Sequence, residues 1–164
     1  SPHSEVAHVS DSLGVPRVML WAGRRLQHFV PVEILTLHPL RDVAAPSTND
    51  ASVVLRIICG KTSFLFSGDA EAWAEARMRR LGDVLDSDIL KVGHHGSRTS
   101  SSPSFIEQVS PAWAVVSVGK RNRFGHPNPE VLRRLQTSGA QVVRLDENGA
   151  VIFCTNGEKI WRKR

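Results

Sequence analysis

Asp88-Ile89-Leu90-Lys91-Val92-Gly93-His94-His95-Gly96-Ser97 is an apolar run with a strand's period that breaks off at a glycine and two adjacent histidines. Strand ends are where folds present chemistry, because the sheet holds the strand while its last residues face solvent. A second apolar run, Thr62–Phe66, closes in the same way on Ser67-Gly68-Asp69. Two imidazoles near a carboxylate at such ends suggest a metal site. The competing reading is a histidine pair that is merely solvated or hydrogen-bonded in a loop.

Working outward, Ser52–Cys59 is a strong buried-strand candidate, and Gly60-Lys61 turns it into Thr62–Phe66 as a hairpin. Arg17–Trp21, Val32–Leu37, Ile89–Val92 and Trp113–Val118 are further strand candidates. Gln141–Leu145 and Ala150–Cys154 are expected to pair across Asn148-Gly149. The run Ala70–Leu81 is rich in helix formers and meets a stop at Gly82. Ser102-Pro103 opens a short helix to about Val109, and Asn128-Pro129 opens another to Ser138, stopped by Gly139. Residues 1–15 show no clear period and are expected to form a frayed lead-in, while residues 39–51 read as a loop. Strands alternating with helices and hairpins make the chain an α/β domain, with a mixed sheet and flanking helices.

At 164 residues the chain is one domain, and 41% hydrophobic with 23% charged residues marks an ordinary globular composition. No apolar run approaches the roughly 20 residues that span a bilayer. Cys59 and Cys154 lack CxxC spacing, which excludes a zinc ribbon, and their apolar settings predict core burial. Residues 120–164 hold 10 Lys and Arg against 4 Asp and Glu, whereas the rest of the chain is balanced. A basic third beside a candidate metal site suits a polyanionic substrate. For the tail Trp161-Arg162-Lys163-Arg164 alone, plain solvated surface is the preferred reading.

Three loops follow three strands: Ser67-Gly68-Asp69, the Gly93–Ser97 turn, and Gly119 through Gly125-His126-Pro127. If those strands are parallel neighbours, Asp69, His94, His95 and His126 meet along one edge. Imidazole and carboxylate ligands from separate strand ends are what a hydrolytic zinc or manganese site requires. Asp69 and His95 are the candidate catalytic residues. Ser97, Lys91, Arg98 and Asn122 are candidates for substrate binding. For each of these four a bland alternative stands: polar connector, exposed cation, or support for the turn before Phe124. His38 reads as a strand terminus before Pro39, and His3, His8 and His28 as surface residues.

Asn49–Leu55, Phe64–Glu71, Asp88–Ser97, Val118-Gly119, Asn122 and Phe124–Pro127, in that order over residues 31–155, resemble the metallo-β-lactamase-like domain of the ComEC family, which internalises DNA in competent bacteria. The resemblance implies an αββα sandwich and a metal-dependent nuclease that degrades the strand not taken up. It makes Asp69 a bridging carboxylate, and His94 or His95 together with His126 imidazole ligands. The family's HxDxDH motif is absent, so the chain looks like the C-terminal half of that fold. A half-fold is expected to expose a sheet face, which would favour a homodimer or contact with the remainder of a parent membrane protein. It also leaves the metal site incomplete. By the same resemblance the domain sits on the outer face of the cytoplasmic membrane.

The function expected is therefore a metal-dependent phosphodiesterase acting on DNA, with a non-catalytic module that grips nucleic acid or a partner as the alternative. A small-molecule lactonase is weaker, given the basic third. No G-x-S-x-G elbow surrounds Ser97, which argues against a serine hydrolase there.

Overall fold

The computed structural model describes residues 2–29 and 31–163. Seven strands form one sheet in sequential order: β1 (Arg25–Phe29), β2 (Val32–His38), β3 (Val54–Cys59), β4 (Thr62–Phe66), β5 (Ile89–Lys91), β6 (Trp113–Val116) and β7 (Gln141–Arg144). The first four run antiparallel, and β4 through β7 are parallel. The mixed sheet expected from the sequence is the one found.

The parallel part dictates where the helices go. Each parallel connection needs a crossover, and crossovers share one hand. Successive steps in one direction therefore stack α2 (Ala72–Met78), α3 (Pro103–Val109) and α4 (Pro129–Thr137) on a single face. Leu37, Val54, Leu65, Leu90, Val92, Ala114 and Val116 of the sheet meet Met78, Phe105, Ile106, Val131 and Leu135 of the helices in one buried core. Leu55, Ile57 and Phe64 share the opposite face through register and are only half-buried, and Phe66 beside them is exposed. Val151 and Phe153 of the C-terminal segment lie against part of this face, beside Phe64 and Phe66.

Several elements depart from the sequence expectations. The hairpin between Gln141–Leu145 and Ala150–Cys154 does not form. β7 instead completes the parallel sheet against β6. The Leu145–Asn148 segment coils into one helical turn, α5, where Arg144 pairs with Asp146 at 2.6 Å and Glu147 at 2.8 Å. Gly149 (φ +67°) ends that turn, so Asn148-Gly149 is a helix stop and not a hairpin turn. β8 (Phe153–Thr155) pairs with β9 (Ile160–Arg162), which draws the basic tail into a strand.

The Arg17–Trp21 segment is irregular, lying between Pro16 and Gly23, and Trp21 is flanked there by Arg24 and Arg41. Pro2–Ser12 is a helix, α1, where a frayed lead-in was expected; its few apolar positions give too weak a period to read. The Ala70–Leu81 helix tightens into a 3-10 segment, Arg79–Leu85, from its third turn. Cys59 and Cys154 are half-buried free thiols, outside the core proper. Among the described residues no helix is long and apolar enough to cross a membrane.

One polar cluster fixes the start of α2. Asp50 is buried and its Oδ1 accepts from the backbone N–H of Glu71 and of Ala74, both at 3.1 Å, which caps the helix from a distant loop. The Asp50 carbonyl in turn accepts from Nε2 of buried His38 at 2.6 Å. That bond fixes the tautomer and leaves Nδ1 buried without a described partner. A second proton would place an N–H there with no acceptor, and burial accordingly holds His38 below its ordinary range, against the smaller pull of Asp50. Unfolding exposes His38 to water, so as pH falls below about 6.5 the unfolded state gains a proton that the folded state refuses. Stability should therefore decline from about pH 6.5 downward, with a His38 share of at most about 1.4 kcal/mol per pH unit. Urea denaturation between pH 7.5 and 5.5 should show that slope flattened in His38→Gln, which keeps a donor for Asp50 and cannot titrate.

Candidate functional site

Because β4, β5 and β6 are parallel and adjacent, their C-terminal ends lie on one rim. Asp69 follows β4, His94 and His95 follow β5, and the Gly119–His126 loop follows β6. The rim brings the four expected ligands together: His95 Nε2 stands 3.7 Å from Asp69 Oδ1, and the His94 ring lies 5.6 Å from that of His126 and 6.4 Å from that of His95.

The histidine pair is not extended. His94 (φ +44°) and His95 (φ +54°) are both left-handed, a conformation costing roughly 1–2 kcal/mol for each residue with a Cβ. Each ring is held by its Nδ1. His95 Nδ1–H donates to the Ser117 carbonyl at 2.6 Å, and His94 Nδ1–H to Glu71 Oε1 at 2.9 Å. Both Nε2 atoms lie outside these bonds, the pattern in which outer partners orient imidazoles for a cation. Asp69 and His95 remain 44% and 48% exposed, so solvent reaches them.

Glu71 and Thr99 were not singled out from the sequence. Glu71 stands two residues beyond Asp69, a second acid after the same strand end, which is the only signal it gives. The Thr99 hydroxyl donates to Glu71 Oε1 at 2.6 Å and is the main reason the carboxyl sits below its usual range; burial opposes this, while Asn49 and His94 add smaller help. His126 is also held low, by burial first and then by repulsion from His94 and His95.

The residues expected to bind substrate are placed differently from one another. Arg98 is exposed on the rim. Lys91 reaches the Gly68 carbonyl with Nζ at 3.1 Å, and burial lowers its ammonium against the opposing charge of Asp69. Ser97 is buried and its hydroxyl bonds Thr99 Oγ1 at 2.9 Å, so it faces into its own loop. Ser100 likewise donates inward, to the Gly93 carbonyl at 2.8 Å. Asn122 supports its turn: its Oδ1 accepts from Phe124 and His126 backbone N–H, and its Nδ2 donates to the His126 carbonyl at 2.6 Å. Ser102 occupies the first cap position of α3 without a side-chain cap bond. The buried Glu75 carboxylate accepts from the Ser101 and Ser102 backbone N–H groups just ahead of the helix.

The basic third of the chain does not form one surface. Arg162 and Lys163 lie near Trp113, at the opposite end of β6 from the rim, while Lys120, Arg121 and Arg123 stand in the loop beside it. Among the described residues, no three His, Cys, Asp or Glu side chains converge closely enough to hold a metal ion by themselves.

No family model matches the chain. Among curated proteins, the chain is 40% identical over 107 residues to ComE operon protein 3 of Bacillus subtilis (strain 168), covering 65% of this chain and 14% of that protein. It is 40% identical over 106 residues to Competence protein ComA of Neisseria gonorrhoeae, covering 64% of this chain and 15% of that protein. Recombination protein 2 of Haemophilus influenzae (strain ATCC 51907 / DSM 11121 / KW20 / Rd) is 35% identical over 132 residues, covering 80% of this chain and 15% of its own length. The likeness is to competence-related proteins. The chain spans about one seventh of the length of these relatives.

Gly96 ties the rim together. Its backbone (φ +82°) admits no side chain comfortably, and a Cβ there would stand 2.8 Å from Pro127. Its carbonyl also accepts from the Asn128 N–H at 2.9 Å. Gly96→Ala should therefore push the His126 loop away from the histidine pair and cost about 1–3 kcal/mol. A lowered urea midpoint, together with shifted imidazole resonances for His126 and unchanged resonances for His8, would report this.

Proposed function

We propose that this chain supplies one half of a metal-dependent phosphodiesterase that cuts DNA in competence-related uptake, with single-stranded DNA as its partner. The observation that supports this most is the orientation of His95, whose pinned Nδ1 turns Nε2 toward Asp69 across a solvent-open gap. The donor set fits zinc or manganese: neutral imidazole nitrogens and a carboxylate, with outer partners already bonded. Asp69 and His95 would hold the ion, with His94 and His126 as the adjoining imidazoles. Further ligands would come from the other half of the fold. A bound ion of this kind makes water acidic enough to serve as a nucleophile near neutral pH. The chain's own residues do the rest: Glu71 and Ser117 set the ring orientations, and Lys91 and Arg98 add positive charge near the phosphate. The half-buried sheet face is where the other half of the sandwich, or a second copy, would pack, and the parent protein would be anchored in the cytoplasmic membrane with this domain outside.

A second reading is a non-catalytic module that only holds nucleic acid. The lack of any three-ligand cluster among the described residues favours it.

Cleavage of a labelled single-stranded oligonucleotide by the full-length protein with Mn²⁺ separates the two. Asp69→Ala should lower the rate by roughly 100-fold or more while binding changes little. DNA binding by the wild type without cleavage, in either Mn²⁺ or Zn²⁺, would favour the second reading.

A further inference from the structure

We propose that Phe124, with Lys120, Arg121 and Arg123, is a base-stacking platform for single-stranded nucleic acid at the mouth of the candidate site. This deepens the nuclease reading by naming what the strand rests on, and it rests on that reading only for where the strand leads.

Phe124 is 82% exposed, the most exposed large apolar side chain among the described residues. A ring so open to water contributes little to the core. It nevertheless lies nearly parallel to the His126 ring, at 21° and 6.1 Å between centroids. His126 in turn meets His94 edge-on at 5.6 Å. The three rings form a track from open solvent to the rim, with Phe124 as its outer step.

The loop that carries the ring is pre-shaped. Asn122 bonds both the Phe124 N–H, at 3.2 Å, and the His126 N–H, at 3.0 Å, so presenting the ring requires little further ordering on binding. Charge completes the case. Lys120, Arg121 and Arg123 are exposed, and none has an ion-pair partner among the described residues. Arg134 and Arg144, in the same basic third, are both committed to acids. Three uncommitted cations around an exposed aromatic ring are the parts a single strand needs: a face for a base and charge for its phosphates. A duplex keeps its base faces stacked inside and offers nothing to Phe124. An acidic peptide would use the cations and be indifferent to the ring.

The test is equilibrium binding of the full chain to a fluorescent oligo(dT), an abasic oligonucleotide of equal length and charge, and a duplex. EDTA is present, so metal and cleavage play no part. Phe124→Ala should weaken oligo(dT) binding by about tenfold and leave abasic binding unchanged. Phe124→Trp should retain oligo(dT) affinity. Replacing Lys120, Arg121 and Arg123 together with Ser should weaken both single strands alike and reduce the salt slope by about 2. Equal binding of oligo(dT) by wild type and Phe124→Ala would overturn the platform, as would a wild type that prefers the duplex or does not distinguish the abasic strand. None of these results depends on catalysis, so loss of the platform and loss of the nuclease reading are separable.

Discussion

Parallel pairing of β4, β5, β6 and β7 is the constraint from which the rest of the molecule follows. It forces three crossovers of one hand, and so puts α2, α3 and α4 on a single face of the sheet. It also sends the ends of three neighbouring strands to one rim, where Asp69 stands beside His95 and His94 beside His126, pairs up to 32 positions apart. The one-sided core and the one-ended chemistry have the same origin. The hairpin β8–β9 keeps clear of the rim: it docks at the far end, where Thr155 Oγ1 meets Thr62 Oγ1 at 2.8 Å and Phe153 packs on Trp113.

Much of this was legible in the residues. The strand-to-glycine-to-histidine break at Ile89–His95 and the Gly68-Asp69 ending placed the rim correctly, because short apolar runs with abrupt glycine stops leave few alternatives. Proline after a polar residue located α3 and α4 to within a residue, though Ser102 makes no side-chain cap bond. The C-terminal third was misread for a physical reason. Asn148-Gly149 satisfies a hairpin turn and a helix stop equally well, and only the unfilled edge of β6 decides between them. No local pattern reports a vacant parallel partner more than twenty residues away.

The supporting groups were the least visible. Asp50 caps α2, Glu75 holds the Ser101 and Ser102 N–H groups ahead of α3, and Glu71 orients His94, each across at least twenty residues of chain. A carboxylate that will be buried looks in sequence like one that will be solvated. All three carboxyl groups bond backbone or side-chain donors inside the domain. The cations of the Lys120–Arg123 loop are exposed and have no ion-pair partner among the described residues.

The left-handed His94–His95 turn carries one more consequence. His95 is clasped by a carbonyl just past β6, while the acid it faces is rooted just past β4. The nitrogen's side of the gap between them is thus anchored to the sheet through Ser117, while the carboxylate's side swings on its own rotamer.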